Sequence, residues 1–132
     1  MKVSKQEIEA VTALSPEERY GYFIKRICDW EQVWVLFEDD CIVLNEAKNG
    51  KLYVLLFPFE DFASHYATNT KGMQTTSYRS FDIHKFVETI MKKLQANNVN
   101  NALVFPVPHG YGLNVTMEEI VEDIKNELKN YE

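Results

Sequence analysis

The chain has 132 residues, enough for one core, and its 45% hydrophobic and 13% aromatic content can fill that core without disulfides or a metal. A formal net charge of -6, from 20 acidic residues against 14 basic ones, leaves little to neutralise a phosphate backbone and argues against nucleic acid as a partner. The longest apolar run, LYVLLFPF at 52–59, contains a proline and is far too short to span a bilayer, which argues against a membrane protein.

The first residues, MKVSKQEIEA, contain no apolar stretch of the kind that directs export, and the two cysteines, Cys28 and Cys41, stand in no CxxC or zinc-ligand spacing. A cytoplasmic protein with free thiols is expected. Ser4 with Glu7, and Ser15 with Glu18, each place a capping hydroxyl three residues ahead of a glutamate, so helices are expected to start at both points. In the second helix Tyr20, Phe23, Ile24, Ile27 and Cys28 keep the spacing of a single buried stripe. These helices make an N-terminal part over 4–29, and the sheet-containing part follows over 33–132, both within one globular domain.

VWVLFE at 33–38, CIVLNE at 41–46 and KLYVLLF at 51–57 read as a three-stranded meander. Asp39-Asp40 turns the first strand into the second, and AKNG at 47–50 carries the Asn-Gly signal of a tight reversal. Phe57-Pro58 ends the third strand, because proline has no N–H for a ladder, and a helix follows in EDFASHY. Asp82, framed by Phe81 and Phe86, starts the next helix, whose stripe is Ile83, Phe86, Val87, Ile90, Met91 and Leu94. Asn97 to Asn101 ends it in residues that tolerate the left-handed conformation. ALVF at 102–105 is a strand that again exits through Phe-Pro, and VPHGYG is a reversal into the strand GLNV at 112–115. Thr116 with Glu119 caps the last helix, with Met117, Ile120, Val121, Ile124 and Leu128 on its buried stripe. The fold class is α+β, a mixed or antiparallel sheet of about five strands with amphipathic helices mainly on one face.

Chemistry is hard to find in this pattern. There is no P-loop, GxGxxG, GxSxG, HExxH or EF-hand loop. His65, His84 and His109 lie in three different elements, and only His65 has a carboxylate one turn away, Asp61; no metal and no cofactor is implied. Cys41 opens an alternating strand, where a small buried thiol is the ordinary expectation and a nucleophile would need a base in reach. Among the aromatic residues Trp30, Trp34, Tyr20, Phe23, Phe57 and Phe59, helix and strand periods direct most into the core, while Trp30 at the helix-to-strand junction is partly exposed and could anchor a partner. No catalytic residue is assigned.

The runs RYGYFIKRICDWEQVWVL at 19–36, LLFPFEDFASHYA at 55–67 and VFPVP at 104–108 resemble the bacterial family known as domain of unknown function 2750 over about residues 15–130. The most specific part is the helix ending in Asp29-Trp30 followed by the strand Val33-Trp34-Val35-Leu36; the family pattern has a Gly-Trp pair in the first turn where this chain has Asp40-Cys41. The resemblance implies a small bacterial cytoplasmic protein and supplies no catalytic residues. The layout of strand, Phe-Pro and helix is also distantly similar to the enhanced serine sensitivity proteins and to small immunity proteins of toxin systems, a likeness of fold that does not fix function. Two readings follow. One is a non-enzymatic binding or interaction module, immunity-type or regulatory, that meets a basic protein partner through the Glu38-Asp39-Asp40 turn. The other is a small-molecule or enzymatic site in a cleft where the two Phe-Pro corners converge, lined by Trp30, Phe57, His109 and Tyr111. The sequence sets no oligomeric state.

Overall fold

A computed structural model describes residues 3–131 of the chain. Helix α1 (Lys5–Thr12) and helix α2 (Pro16–Trp30) begin at the expected caps, with the Glu7 amide donating to Ser4 Oγ at 3.1 Å and the Glu18 amide donating to Ser15 Oγ at 3.1 Å. Only Ser15 receives the reciprocal bond, its own amide donating to the Glu18 carboxylate; Glu7 instead accepts the hydroxyl of Tyr22 and so ties α1 to α2. Glu31, in the left-handed conformation, ends α2 and sends the chain into β1 (Gln32–Glu38).

Asp39 and Asp40 both have positive φ, 51° and 62°, the geometry of a two-residue hairpin turn that short acidic side chains tolerate. The expected strand at 41–46 then breaks at Val43 into β2 (Cys41–Ile42), paired with β1, and β3 (Leu44–Glu46), paired with β4 (Leu52–Leu56). One chain segment thus passes from one sheet to the other at a bend, the usual way a sheet makes a corner. The AKNG reversal closes as expected, with Gly50 at φ 83° and the Lys51 amide bonded to Asn49 Oδ1 at 2.9 Å.

After α3 (Glu60–Thr68) comes a strand that periodicity does not announce, β5 (Ser77–Asp82), which pairs antiparallel with nearly the whole length of β1. Its sequence, SYRSFD, is half polar because it is an edge strand covered on one side only. Asp82 ends it and caps helix α4 over 83–96, accepting from the amides of His84 and Lys85 at 3.0 and 3.1 Å. The middle of α4, Phe86–Ile90, is a π turn. Asn98, at φ 66°, leads into β6 (Asn101–Val104), and β7 (Leu113–Thr116) runs into helix α5 (Met117–Leu128).

The five expected strands become seven in two sheets, ordered β2-β1-β5 and β3-β4-β6-β7. All neighbours are antiparallel except β4 and β6. The sheets meet where Trp34 and Phe57 exchange backbone bonds of 3.0 and 2.9 Å. Val35 and Leu36 in β1, and Val54, Leu55 and Leu56 in β4, are all fully buried, so both faces of these central strands are covered. Strand alternation directs Trp34 into the core, yet it is only half-buried, although Leu36 on the same face is fully buried. Cys41 is likewise exposed rather than buried, as it opens a two-residue strand at the sheet margin; Cys28 is the buried thiol, and burial pushes its pKa up to about 11.

Candidate functional site

The two Phe-Pro corners do converge. β4 and β6 are parallel neighbours, so both exits leave the same end of the sheet, and the Phe105 amide bonds to the Leu56 carbonyl at 2.8 Å. The rings of Phe62 and Phe105 stand 4.8 Å apart, with Phe59 and Tyr22 completing the group. Phe57, Phe59, Phe62 and Phe105 are all buried, so the convergence is packed solid.

Beneath it lies a residue the sequence reading passed over. Arg19 is 3% exposed and has no carboxylate partner among the described residues; its guanidinium donates to the carbonyls of Phe105 (3.2 Å), Leu14, Tyr111 and Thr12. Its planar fork thereby ties the α1–α2 turn to both ends of the 105–111 loop. Burial lowers its pKa, and Glu17 acts in the opposite direction. The signal was legible in one respect: Arg19 stands four residues before Phe23 and eight before Ile27, on the buried stripe itself. The clamp holds Phe105, at φ 54°, and brackets His109, at φ 61°, conformations that cost non-glycine residues ~1–3 kcal/mol. Gly112 fits the same corner, because a Cβ there would lie 2.8 Å from the Val104 carbonyl oxygen.

The residues named from sequence are therefore dispersed. Phe57 is fully buried and offers no surface, whereas Tyr111 is 83% exposed and His109 lies at the loop tip. Trp30 is 50% exposed and leans edge-on against Phe59, 6.2 Å between centroids. His109 does meet His65 across a small cavity of about 240 Å³ lined also by Thr12, Asn69, Val107 and Pro108. Asp61, which could have oriented His65, instead accepts the Val3 amide at 2.5 Å. At the acidic turn Asp40 pairs with Arg79 at 2.8 Å and Glu38 accepts from Thr75 at 3.0 Å, so two of its three carboxylates are engaged within the chain.

A larger cavity lies elsewhere. A groove of about 760 Å³ runs between α4 and α5, floored by Ile83, Val87, Met91, Met117, Val121 and Leu128. Val87, Val121 and Leu128 are only partly buried along it, and His84, Glu88, Lys92, Glu118, Glu122, Lys125 and Lys129 form its rim. Gln95, near the end of α4, donates to Glu118, in the first turn of α5, at 3.2 Å and closes one end. The π turn lies in the α4 wall, a feature that recurs at functional sites because it re-aims side chains within a helix. Sequence periodicity assigned Val87, Val121 and Leu128 to buried stripes. The one available hint was the width of the α4 stripe, two adjacent pairs of apolar residues at 86–87 and 90–91.

The profile of the family described as "Protein of unknown function (DUF2750)" matches residues 20–124, which include the α2–β1 junction, both Phe-Pro corners and α4. The chain belongs to the DUF2750 family. No curated protein and no solved structure matches it, so the likeness to enhanced serine sensitivity and immunity proteins rests on layout alone. Among the described residues no cluster of histidine, cysteine, aspartate or glutamate is arranged to hold a metal, and no helix is long and apolar enough to cross a membrane.

Proposed function

We propose that this DUF2750 protein is a non-enzymatic binding module whose recognition surface is the α4/α5 groove, and that the groove takes up an amphipathic helix of a protein partner. The observation that carries this is the groove itself: an apolar floor, open along two helices, between charged rims. Helix-in-groove recognition uses such a floor for apolar anchors spaced three or four residues apart, with rims setting orientation. A small molecule suits it less. Orienting a small ligand takes a few fixed polar groups, and the buried polar side chains among the described residues are Arg19, Thr76 and Asn101, none of which lines the groove.

The alternative of a small-molecule site at the Phe-Pro end has the meeting of His65 and His109 in its favour. Its cavity of about 240 Å³ falls below the usual ~300 Å³ lower bound for ligand sites. The rim bears both signs, Glu88, Glu118 and Glu122 with Lys92, Lys125 and Lys129, which favours a partner of mixed charge over the basic partner suggested by composition.

The test is site-specific photo-crosslinking in the producing cell, with a photoreactive residue at Val121 and, as control, at Lys48 on the β3–β4 turn. Protein adducts from Val121 and none from Lys48 are expected. No adduct from Val121, or equal yield from both positions, overturns the reading.

A further inference from the structure

Resting on that groove, we propose that the helix it receives is α5 of a second copy of this chain, so that the protein is a two-fold dimer with two α5 helices antiparallel at its centre. Glu118, Glu122 and Lys125 of α5 and Lys129, its C-cap, all line the groove, and their spacing of four, three and four keeps them on one stripe. The stripe changes sign halfway, acidic toward the helix start and basic toward its end.

A charge stripe of this kind is complementary to its own reverse. Laid antiparallel about a point between Asp123 and Ile124, two such helices set Glu122 opposite the partner subunit's Lys125 and Glu118 opposite the partner subunit's Lys129. Two-fold symmetry repeats each pair, as a closed dimer interface must. Parallel alignment would set glutamate against glutamate and lysine against lysine. α4 runs antiparallel to α5, since Gln95 near its end meets Glu118 at the start of α5, so Glu88 and Lys92 do not add to this pairing and the orientation rests on the α5 pairs. The partly buried Val87, Val121 and Leu128 supply the apolar surface removed from water, and the ion pairs, exposed at the rim, supply register more than affinity. With three partly buried aliphatic residues as its apolar part, a weak interface with association in the micromolar range is expected.

The experiment is sedimentation equilibrium of the full chain over a wide concentration range, for the wild type, Glu122→Lys, Lys125→Glu and the double variant. Each single swap turns two attractive contacts repulsive and should weaken the dimer about tenfold, while the double variant, with all signs reversed, should return to within about threefold of wild type. A chain that stays monomeric throughout overturns the proposal, as does a dimer that the single swaps leave unchanged or the double variant fails to restore. The Val121 adduct separates this outcome from the groove reading. An adduct twice the mass of the chain supports both; one of another mass overturns the second copy and keeps the groove; no adduct overturns both.

Discussion

The Phe-Pro end of the sheet and the α4/α5 groove use apolar side chains to opposite effect. At the first, parallel strands deliver Phe57 and Phe105 to one place, α3 and the Phe59 that precedes it add Phe62 and Phe59, and a buried arginine takes up the loop carbonyls, so that space and hydrogen bonds are both filled. At the second, two amphipathic helices lie side by side without closing, and partly buried aliphatic residues remain between charged rims. The lesson concerns what marks a site. Prolines, glycines, a histidine and positive φ angles mark the corner as unusual, yet here they describe a chain held tightly by its own contacts. The groove has no unusual residue at all.

The strongest way to break this contrast is Arg19→Met, which should cost ~2–4 kcal/mol in a denaturant titration, because it leaves the buried Phe105 carbonyl and the part-buried Leu14 and Tyr111 carbonyls without their donor. Arg19→Lys should recover only part of the loss, since an ammonium cannot span acceptors on two segments at once. A loss below ~1 kcal/mol for Arg19→Met would mean the loop does not depend on the clamp, against the usual cost of leaving such groups unpaired.

Gly112→Ala comes next. The added Cβ would meet the Val104 carbonyl at 2.8 Å and Leu103 Cγ at 3.0 Å, so a loss of ~1–3 kcal/mol is expected from overpacking. An unchanged midpoint would show that the corner has slack. On the groove side, Asp82→Ala removes two cap bonds at the start of α4 and should cost about 1 kcal/mol, with faster amide exchange at His84 and Lys85 as the local sign. Val121→Lys closes the series. Its stability should fall by no more than ~1 kcal/mol, as for a partly buried position, while sedimentation shows the dimer lost. A large loss of stability would place Val121 in the core and remove it from the recognition surface.

How much was legible follows from where the signals lie. Caps at Ser4, Ser15, Asp82 and Thr116 were readable because each is a local hydrogen bond between residues two or three apart in sequence. The turns at Asp39-Asp40 and Asn49-Gly50 were readable for the same reason. β5 was not, because an edge strand needs only half of its side chains apolar, and Val43 gave no sign of the break that divides the sheet. Of the candidate positions, the exposure of Trp30 and of the Glu38-Asp39-Asp40 turn was readable from local sequence. The groove was not, because periodicity says which stripe of a helix is apolar and does not say how closely its neighbour covers that stripe. Arg19 needs acceptors 86 and 92 residues away, a distance no local pattern spans.

The contrast is tested most directly by placing the same photoreactive residue at Tyr111, the most exposed aromatic of the Phe-Pro loop, and at Val121, and comparing adducts from the same cells. Protein adducts from Val121 with none from Tyr111 are the expected result. Adducts from Tyr111 with none from Val121 would make the clamped loop the recognition surface and contradict the account.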